Sequence, residues 1–131
     1  MTGIDVPPAG SITVSDLIGS GVVRIAADAT VTGAAQAIIK AGVGAVIVGD
    51  DERPAALLSE RDVALVVAAG RNPSAVKAGE VASTDLVWCE SGDSVDAVAM
   101  RMTDRHIRHI LVEENGELVG IISARDLLGV Y

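Results

Sequence analysis

Apolar and polar positions follow one another along this chain in an order that occurs twice. In the first occurrence VVRI (22–25) reads as a strand, and Val31, Ala34, Ala35, Ile38 and Ile39 recur on one face of a helix that ends near Lys40. AVIV (45–48) and AALL (55–58) are continuous apolar runs, and the GDDERP between them supplies turn chemistry for a hairpin. A second helix is predicted from Ser59. The stretch GRNPSAVKAGEVA (70–82) gives turn residues and then a short helix. After it the order repeats, with a strand at LVW (86–88), a helix from Val95 to about Arg105 and a strand at HILV (109–112). The turn EENGE, a strand at LVGII (118–122) and a helix from Ser123 complete it.

The register of the repeat is constant. Sixty-four positions separate Ser59 from Ser123, Asp62 from Asp126, Val48 from Val112, Val31 from Val95 and Val23 from Val87, with no gap. Few paired residues are identical, yet apolar character matches along the length, which points to two diverged copies of one βαββα element. The expected fold class is α+β (mixed α/β). One copy would hardly bury its sheet face alone, so the copies are expected to pack on each other about a pseudo-twofold axis, leaving two equivalent clefts. The expected boundaries are 12–70 for the first repeat, 71–85 for a linker with a short helix and 86–131 for the second repeat, with 1–11 as an N-terminal extension.

Composition changes this picture in three respects. The 131 residues make about one domain's worth of chain, and folding buries roughly two thirds of the unfolded surface at this size. With no Phe, one Trp (Trp88) and one Tyr (Tyr131), the core must be built from Val, Ile, Leu and Ala. A net charge of −8 argues against a general binder of nucleic acid or anionic membrane. No apolar run approaches the roughly 20 residues of a membrane helix, and the start MTGIDVPPAG lacks the regions of a signal peptide, so a cytoplasmic location is expected. The single Cys89 cannot form an internal disulfide, which suits a reducing compartment.

Each copy closes the same way, as ALLSERDV (56–63) and GIISARDLL (120–128): an aliphatic run, a serine, then an arginine and an aspartate. Serine at a helix start with an acid three residues later fits a capping box, in which both side chains satisfy free backbone N–H groups of the first turn. The arginines fit less well. Arg61 and Arg125 fall in the first helical turn, where the positive end of the helix dipole disfavours a cation by roughly 0.3–1 kcal/mol. Glu60 offsets this in the first copy, but Ala124 does not in the second. An anion bound there would turn both the dipole and the arginine into attractions.

The doubled element, each copy ending in an aliphatic strand and then SERD or SARD, resembles a pair of CBS domains, the Bateman module, in its small stand-alone form. The resemblance spans about residues 12 to 130, and its specificity lies in the doubled motif at constant offset. It implies a non-catalytic regulatory module whose inter-repeat clefts bind adenosine compounds: AMP, ADP, ATP, NAD(H) or S-adenosylmethionine. It also implies a homodimer. No cofactor is required; an adenine nucleotide, AMP first, is the expected regulatory ligand, and the effector protein is unspecified. By the family's use of the matching positions, Asp62 and Asp126 contact the ribose, Ser59 and Ser123 add a hydroxyl, and Arg61 and Arg125 contact phosphate. A carboxylate suits neighbouring ribose hydroxyls because it accepts two hydrogen bonds strongly.

A second constellation is RHIRHI (105–110), where Arg101, Arg105 and Arg108 lie close together with His106 and His109. Arg101 and Arg105 are four apart near a helix C-terminus, a favourable place for cations whatever their further role. Arg108 and His109 open a strand whose start, in the family, points into a cleft and contacts phosphates. In the family a cleft joins the Ser-x-x-Asp segment of one repeat to the strand starts of the other. Asp62 is then expected to share a site with Arg108, His109 and the backbone around Leu86 and Val87, and Asp126 with the uncharged Gly44 and Ala45. The Asp62 site is the expected better binder of a polyanionic tail. Gly120, where the first copy has Ala56, is expected to let a ligand approach the backbone. Leu57, Ile121, Val23 and Val87 are candidate walls for adenine, though each also suits an ordinary core.

Two other function classes compete with this one. A structural or protein-interaction module that lost its ligand would use Ser59 and Ser123 only as caps. An enzyme built on Cys89 with His106 and His109 lacks ligand or triad spacing. Asp50 and Asp51, like Glu113 and Glu114, lie in predicted hairpin turns, and neither a P-loop nor a strand-linked GxGxxG occurs. No catalytic constellation is read from the sequence.

Overall fold

The computed structural model describes residues 12–19 and 21–128. Contacts group Val22–Leu86 into one compact unit, and the chain from Val87, with the described residues before Val22, into a second.

In the first unit β1 (Arg24–Ile25) runs parallel to β2 (Ala45–Val48), and β2 pairs antiparallel with β3 (Leu57–Ser59), placing Ala45 opposite Ser59. The β1–β2 crossover carries α1 (Val31–Ala41), and α2 (Glu60–Ala68) follows β3 directly. Thr30 caps α1 by accepting from Gly33 N at 3.0 Å, and Gly42 ends it at φ 68°, a conformation glycine adopts without a Cβ penalty. Val31, Ala34 and Ile38 of α1 bury against Val46, Val48, Leu58 and Val66. The helix stripe is narrower than the sequence suggests, since Ile39 is 79% exposed. It stands about 100° around the helix from Ile38, beyond the sheet's reach. All four residues of β2 are buried, so this strand is apolar on both faces and reads as a continuous run.

The second unit repeats this plan. β4 (Trp88–Glu90) is parallel to β5 (His109–Glu114), which pairs antiparallel with β6 (Glu117–Ser123) and sets His109 opposite Ser123. After α3 (Ala78–Val81) of the first unit, the remaining helices are α4 (Val95–Arg105) and α5 (Ala124–Leu128). Ser94 caps α4 through Ala97 N at 3.1 Å, and His106 ends it at φ 55°, taking the left-handed position that Gly42 holds in the first copy. Asn115 (φ 54°) and Gly116 (φ 81°) form the two-residue turn of the β5–β6 hairpin, the Asn-Gly geometry that matches strand twist. Because this turn is short, the second hairpin is longer than the first, whose strands are separated by residues 49–56. Cys89, Val95, Val98, Met102, Ile110, Val112, Ile122 and Leu127 form the core. Each such Val, Ile or Leu contributes about 1.5–3 kcal/mol by leaving water.

Each unit is completed by a segment from another part of the chain. In the first, Val31 N donates to Val76 O (2.8 Å), Ala78 N to Ala29 O (2.7 Å) and Gly79 N to Ala27 O (2.9 Å). The same bonds recur at the repeat offset in the second: Val95 N to Ile12 O (2.8 Å), Val14 N to Asp93 O (2.9 Å) and Ser15 N to Ser91 O (3.1 Å). Val14 and Ala78 are fully buried at matching places. The internal repeat thus extends back to residues 12–18 and 76–82. Contacts place 12–19 with the second sheet and 76–82 with the first.

Candidate functional site

Ser59 is the last residue of β3 and the N-cap of α2, so the helix begins one residue later than its serine. Its hydroxyl accepts from Asp62 N at 3.3 Å, while Ser59 N and Ser59 Oγ donate to Asp62 Oδ2 at 2.8 and 3.0 Å. In the second copy Ser123 N donates to Asp126 Oδ2 at 2.8 Å, and Asp126 N donates to Ser123 Oγ at 3.1 Å. Both capping boxes are therefore formed, and both acids turn back onto their own main chain. Capping uses one oxygen of each carboxylate. Among the described residues Oδ1 of Asp62 and Oδ1 of Asp126 take no hydrogen bond, which leaves acceptor capacity for a ligand.

Strand alternation sorts the other candidates by face. Val46, Val48 and Leu58 point to the helix-packed core of the first unit, and Ile110, Val112 and Ile122 to that of the second. The alternate residues share the opposite face: Ala45, Ile47, Leu57 and Ser59 in one sheet, His109, Leu111, Ile121 and Ser123 in the other. Serine and proposed wall residue thus line one face in each copy. Ile47 and Leu111 belong to this face and were not singled out from the sequence, although counting by twos across each hairpin from Ser59 and Ser123 would have reached them. Val23 and Val87 lie at the strand starts, half-buried against the cores, and their carbonyls accept from Ile47 N and Leu111 N, both at 2.9 Å.

Arg61 and Arg125 are exposed in the first turns of α2 and α5. No hydrogen bond or ion pair among the described residues holds the Arg61 or Arg108 side chain. Arg108 O accepts from Ala124 N at 2.8 Å, just as Gly44 O accepts from Glu60 N at 3.0 Å. The basic strand start therefore adjoins the Ser123 segment of its own unit, and the uncharged one adjoins Ser59. Arg101 has a structural task, donating to Trp88 O at 2.7 Å and lying 3.9 Å from Asp93 Oδ2. His106 serves as the helix terminus.

Gly120 corrects an expectation. It lies on the core side of β6, and its space is filled from within the protein: a Cβ there would meet Ile18 Cγ1 at 3.1 Å and Cγ2 closer still. The glycine admits Ile18 of the 12–19 segment that docks on this unit, not a ligand. In the first copy the matching pair is Ala56 and Ala82, one side chain larger and the other smaller.

Cys89 is buried, and its thiol is pushed up to about 11 by burial first and by Asp93 second. A protonated, buried thiol does not serve as a nucleophile. At pH 8 the shift from 9.0 to about 11 lowers the thiolate population roughly a hundredfold. Native protein is therefore expected to resist a thiol-reactive disulfide reagent that modifies the unfolded chain at once; prompt stoichiometric labelling of folded protein would contradict the assignment. Among the described residues no cluster of three His, Cys, Asp or Glu could hold a metal ion, and no helix is long and apolar enough to cross a membrane.

Comparison with known proteins agrees with this architecture. The family model described as CBS domain matches residues 14–69 and 78–131. Hypoxic response protein 1 of Mycobacterium tuberculosis is 31% identical over 117 residues, covering 88% of this chain and 82% of its own. A CBS domain protein from Pyrobaculum aerophilum, solved in complex with AMP, superposes with a TM-score of 0.77 at 33% identity, over 88% of this chain and 89% of its own. A structure of hypoxic response protein I with two coordinated zinc ions gives a TM-score of 0.70 at 29% identity, over 89% and 97%.

Proposed function

Because the chain belongs to the CBS-domain family as a pair of repeats, a regulatory module, we propose that it senses an adenosine nucleotide, AMP first and ATP, ADP or NAD(H) as alternatives. The observation that carries the reading is local and occurs twice. A carboxylate is pinned through one oxygen at a helix start, its other oxygen takes no hydrogen bond among the described residues, and an exposed arginine stands beside it. That set matches a ribose with an attached phosphate. The AMP complex of the Pyrobaculum relative supports the ligand class.

Asp62 and Asp126 accept from ribose hydroxyls, Arg61, Arg125, Arg108 and His109 meet phosphate, and Leu57, Ile121, Val23 and Val87 flank the base. The ligand favours one arrangement of the repeats and shifts the population toward it, changing a surface read by an effector protein. The module acts in the cytoplasm as a homodimer. Catalysis is not part of the proposal, since the one thiol is protonated and buried. Zinc is not part of it either, since the described residues offer no ligand cluster.

A second reading is favoured by the completeness of both capping boxes: a ligand-free interaction module in which the serines and acids only stabilise helix starts. Thermal melts separate the two. A nucleotide at about a hundred times its dissociation constant adds roughly 2.7 kcal/mol, raising the midpoint on the order of 10 °C for a chain this size. A shift with AMP, ADP, ATP or NADH is expected. Silence from all of them, matched by calorimetry, leaves the interaction module.

A further inference from the structure

We propose that residues 12–19 form a strap that opens and closes on the second unit, and that a bound nucleotide holds it closed. The coupling rests on the nucleotide reading above, whereas the strap's freedom to open does not. Residues 76–82 dock on the first unit through bonds at Val31 N, Ala78 N and Gly79 N, and 12–18 dock on the second through the matching Val95 N, Val14 N and Ser15 N. Beyond these bonds the copies part. In the first, Leu57 N donates to Ser83 O at 2.9 Å and Ser83 N to Leu57 O at 2.8 Å, so the edge of β3 is paired where the docked segment ends. The residues at the repeat offset are Ile121 and Gly19, and among the described residues they make no such pair. The stretch leading into 76–82 is held as well, with Ser74 Oγ 2.8 Å from Thr32 Oγ1 of α1. In the strap, Thr13, Ser15 and Asp16 bond to one another instead.

What holds the strap is therefore chiefly apolar: Val14 is fully buried, and Ile18 fills the space over Gly120. Apolar contact is non-directional, so the strap can unseat while the sheet keeps its ladder, a local opening that costs less than global unfolding. Gly19 and Gly21 lie between Ile18 and β1; a Cβ on either would meet nothing within 4 Å, and Gly21 sits at φ 80°. No side-chain packing guards that exit. Both ends of the device adjoin the proposed site along the chain. Ile121 follows Gly120, and Val23 follows the strap past Gly21; these are two of the residues set against the base. A nucleotide that touches both fixes the chain on either side of the Ile18 anchor and favours the closed state. Opening uncovers the seat of Val14 in the second core, an apolar surface for an effector protein to read.

The test is amide exchange, read by NMR as protection at three matched pairs: Val14 with Ala78, Ser15 with Gly79 and Val95 with Val31. Without nucleotide, Val14, Ser15 and Val95 are expected to be about tenfold or more less protected than their partners, and saturating AMP should bring each pair within about threefold. Equal protection without nucleotide overturns the strap. A gap that persists while calorimetry shows AMP bound overturns its coupling to the site. Absence of AMP binding overturns the nucleotide reading and the coupling with it, while the gap in free protein still decides whether the strap opens. A disulfide between Ile18→Cys and Gly120→Cys locks the closed state, since a Cβ at residue 120 would lie 3.3 Å from Ile18 Cβ, close to the separation a disulfide takes. Oxidised, this variant should lose the gap without nucleotide and bind AMP at least as tightly as when reduced. Weaker binding on oxidation would make the open strap the binding form and overturn the proposal.

Discussion

Asp62→Ala is expected to remove the larger part of the AMP-induced rise in melting temperature, while Asp126→Ala leaves most of it. Two donors fix the Asp62 carboxylate in a half-buried position, whereas one holds Asp126 at the surface. Each substitution also removes half of a capping box, at a cost of about 0.5–2 kcal/mol. The quantity to compare is therefore the shift each variant shows relative to its own ligand-free midpoint. Asp62→Asn sharpens the test. An amide oxygen can still accept from Ser59 N and keep much of the cap, but it accepts less strongly from ribose than a carboxylate does. Its ligand-free midpoint should stay near wild type while the AMP shift falls. The reverse ranking of Asp62 and Asp126 has its own physical meaning. Arg108 and His109 adjoin Ser123 within their unit, while the family pattern assigns them to the Asp62 site; a stronger effect from Asp126→Ala would show that the cations serve the nearer acid.

Gly120→Ala should destabilise the protein by about 1–3 kcal/mol without altering its nucleotide preference. The added methyl meets Ile18, and overpacking of a filled site costs that much. Gly120 has no left-handed backbone to preserve, so the cost is steric. A double-mutant cycle with Ile18→Ala measures it. Ile18→Ala alone leaves a gap, and Gly120→Ala in that background should cost much less than in wild type, giving a favourable coupling. The first copy already carries alanine at both equivalent places, Ala56 and Ala82. Additive effects, or a loss of nucleotide affinity with stability unchanged, would instead return Gly120 to the role of a ligand-approach position.

Most of the fold was legible because it rests on periodicity. Both hairpins and both long helices follow from the apolar runs and their spacing, and α4 spans Val95–Arg105 as its pattern predicts. Strand limits were less legible. VVRI contributes only Arg24–Ile25 and LVW only Trp88 to strands, because pairing with β2 and β5 decides where a strand begins. The docking of 12–18 and 76–82 was hidden for another reason. Its backbone bonds leave no side-chain signature, and the apolar residues that bury with them, Val14 in one segment and Val76 and Ala78 in the other, are too few and too short a run to read as a docked element. At the site, the Ser-x-Arg-Asp spacing signalled a capping box correctly. It could not reveal that Asp62 gains a second donor, since that depends on one hydroxyl rotamer. Gly120 was misread because sequence does not show which face of β6 is filled, nor that Ile18 fills it.

The most direct measurement is a crystal structure of the protein grown with AMP. The account predicts a ribose hydroxyl within hydrogen-bond distance of the Asp62 carboxylate, with the bond from Ser59 N to Oδ2 intact. AMP seated away from both acids, or no AMP bound at concentrations that saturate a micromolar site, would contradict it.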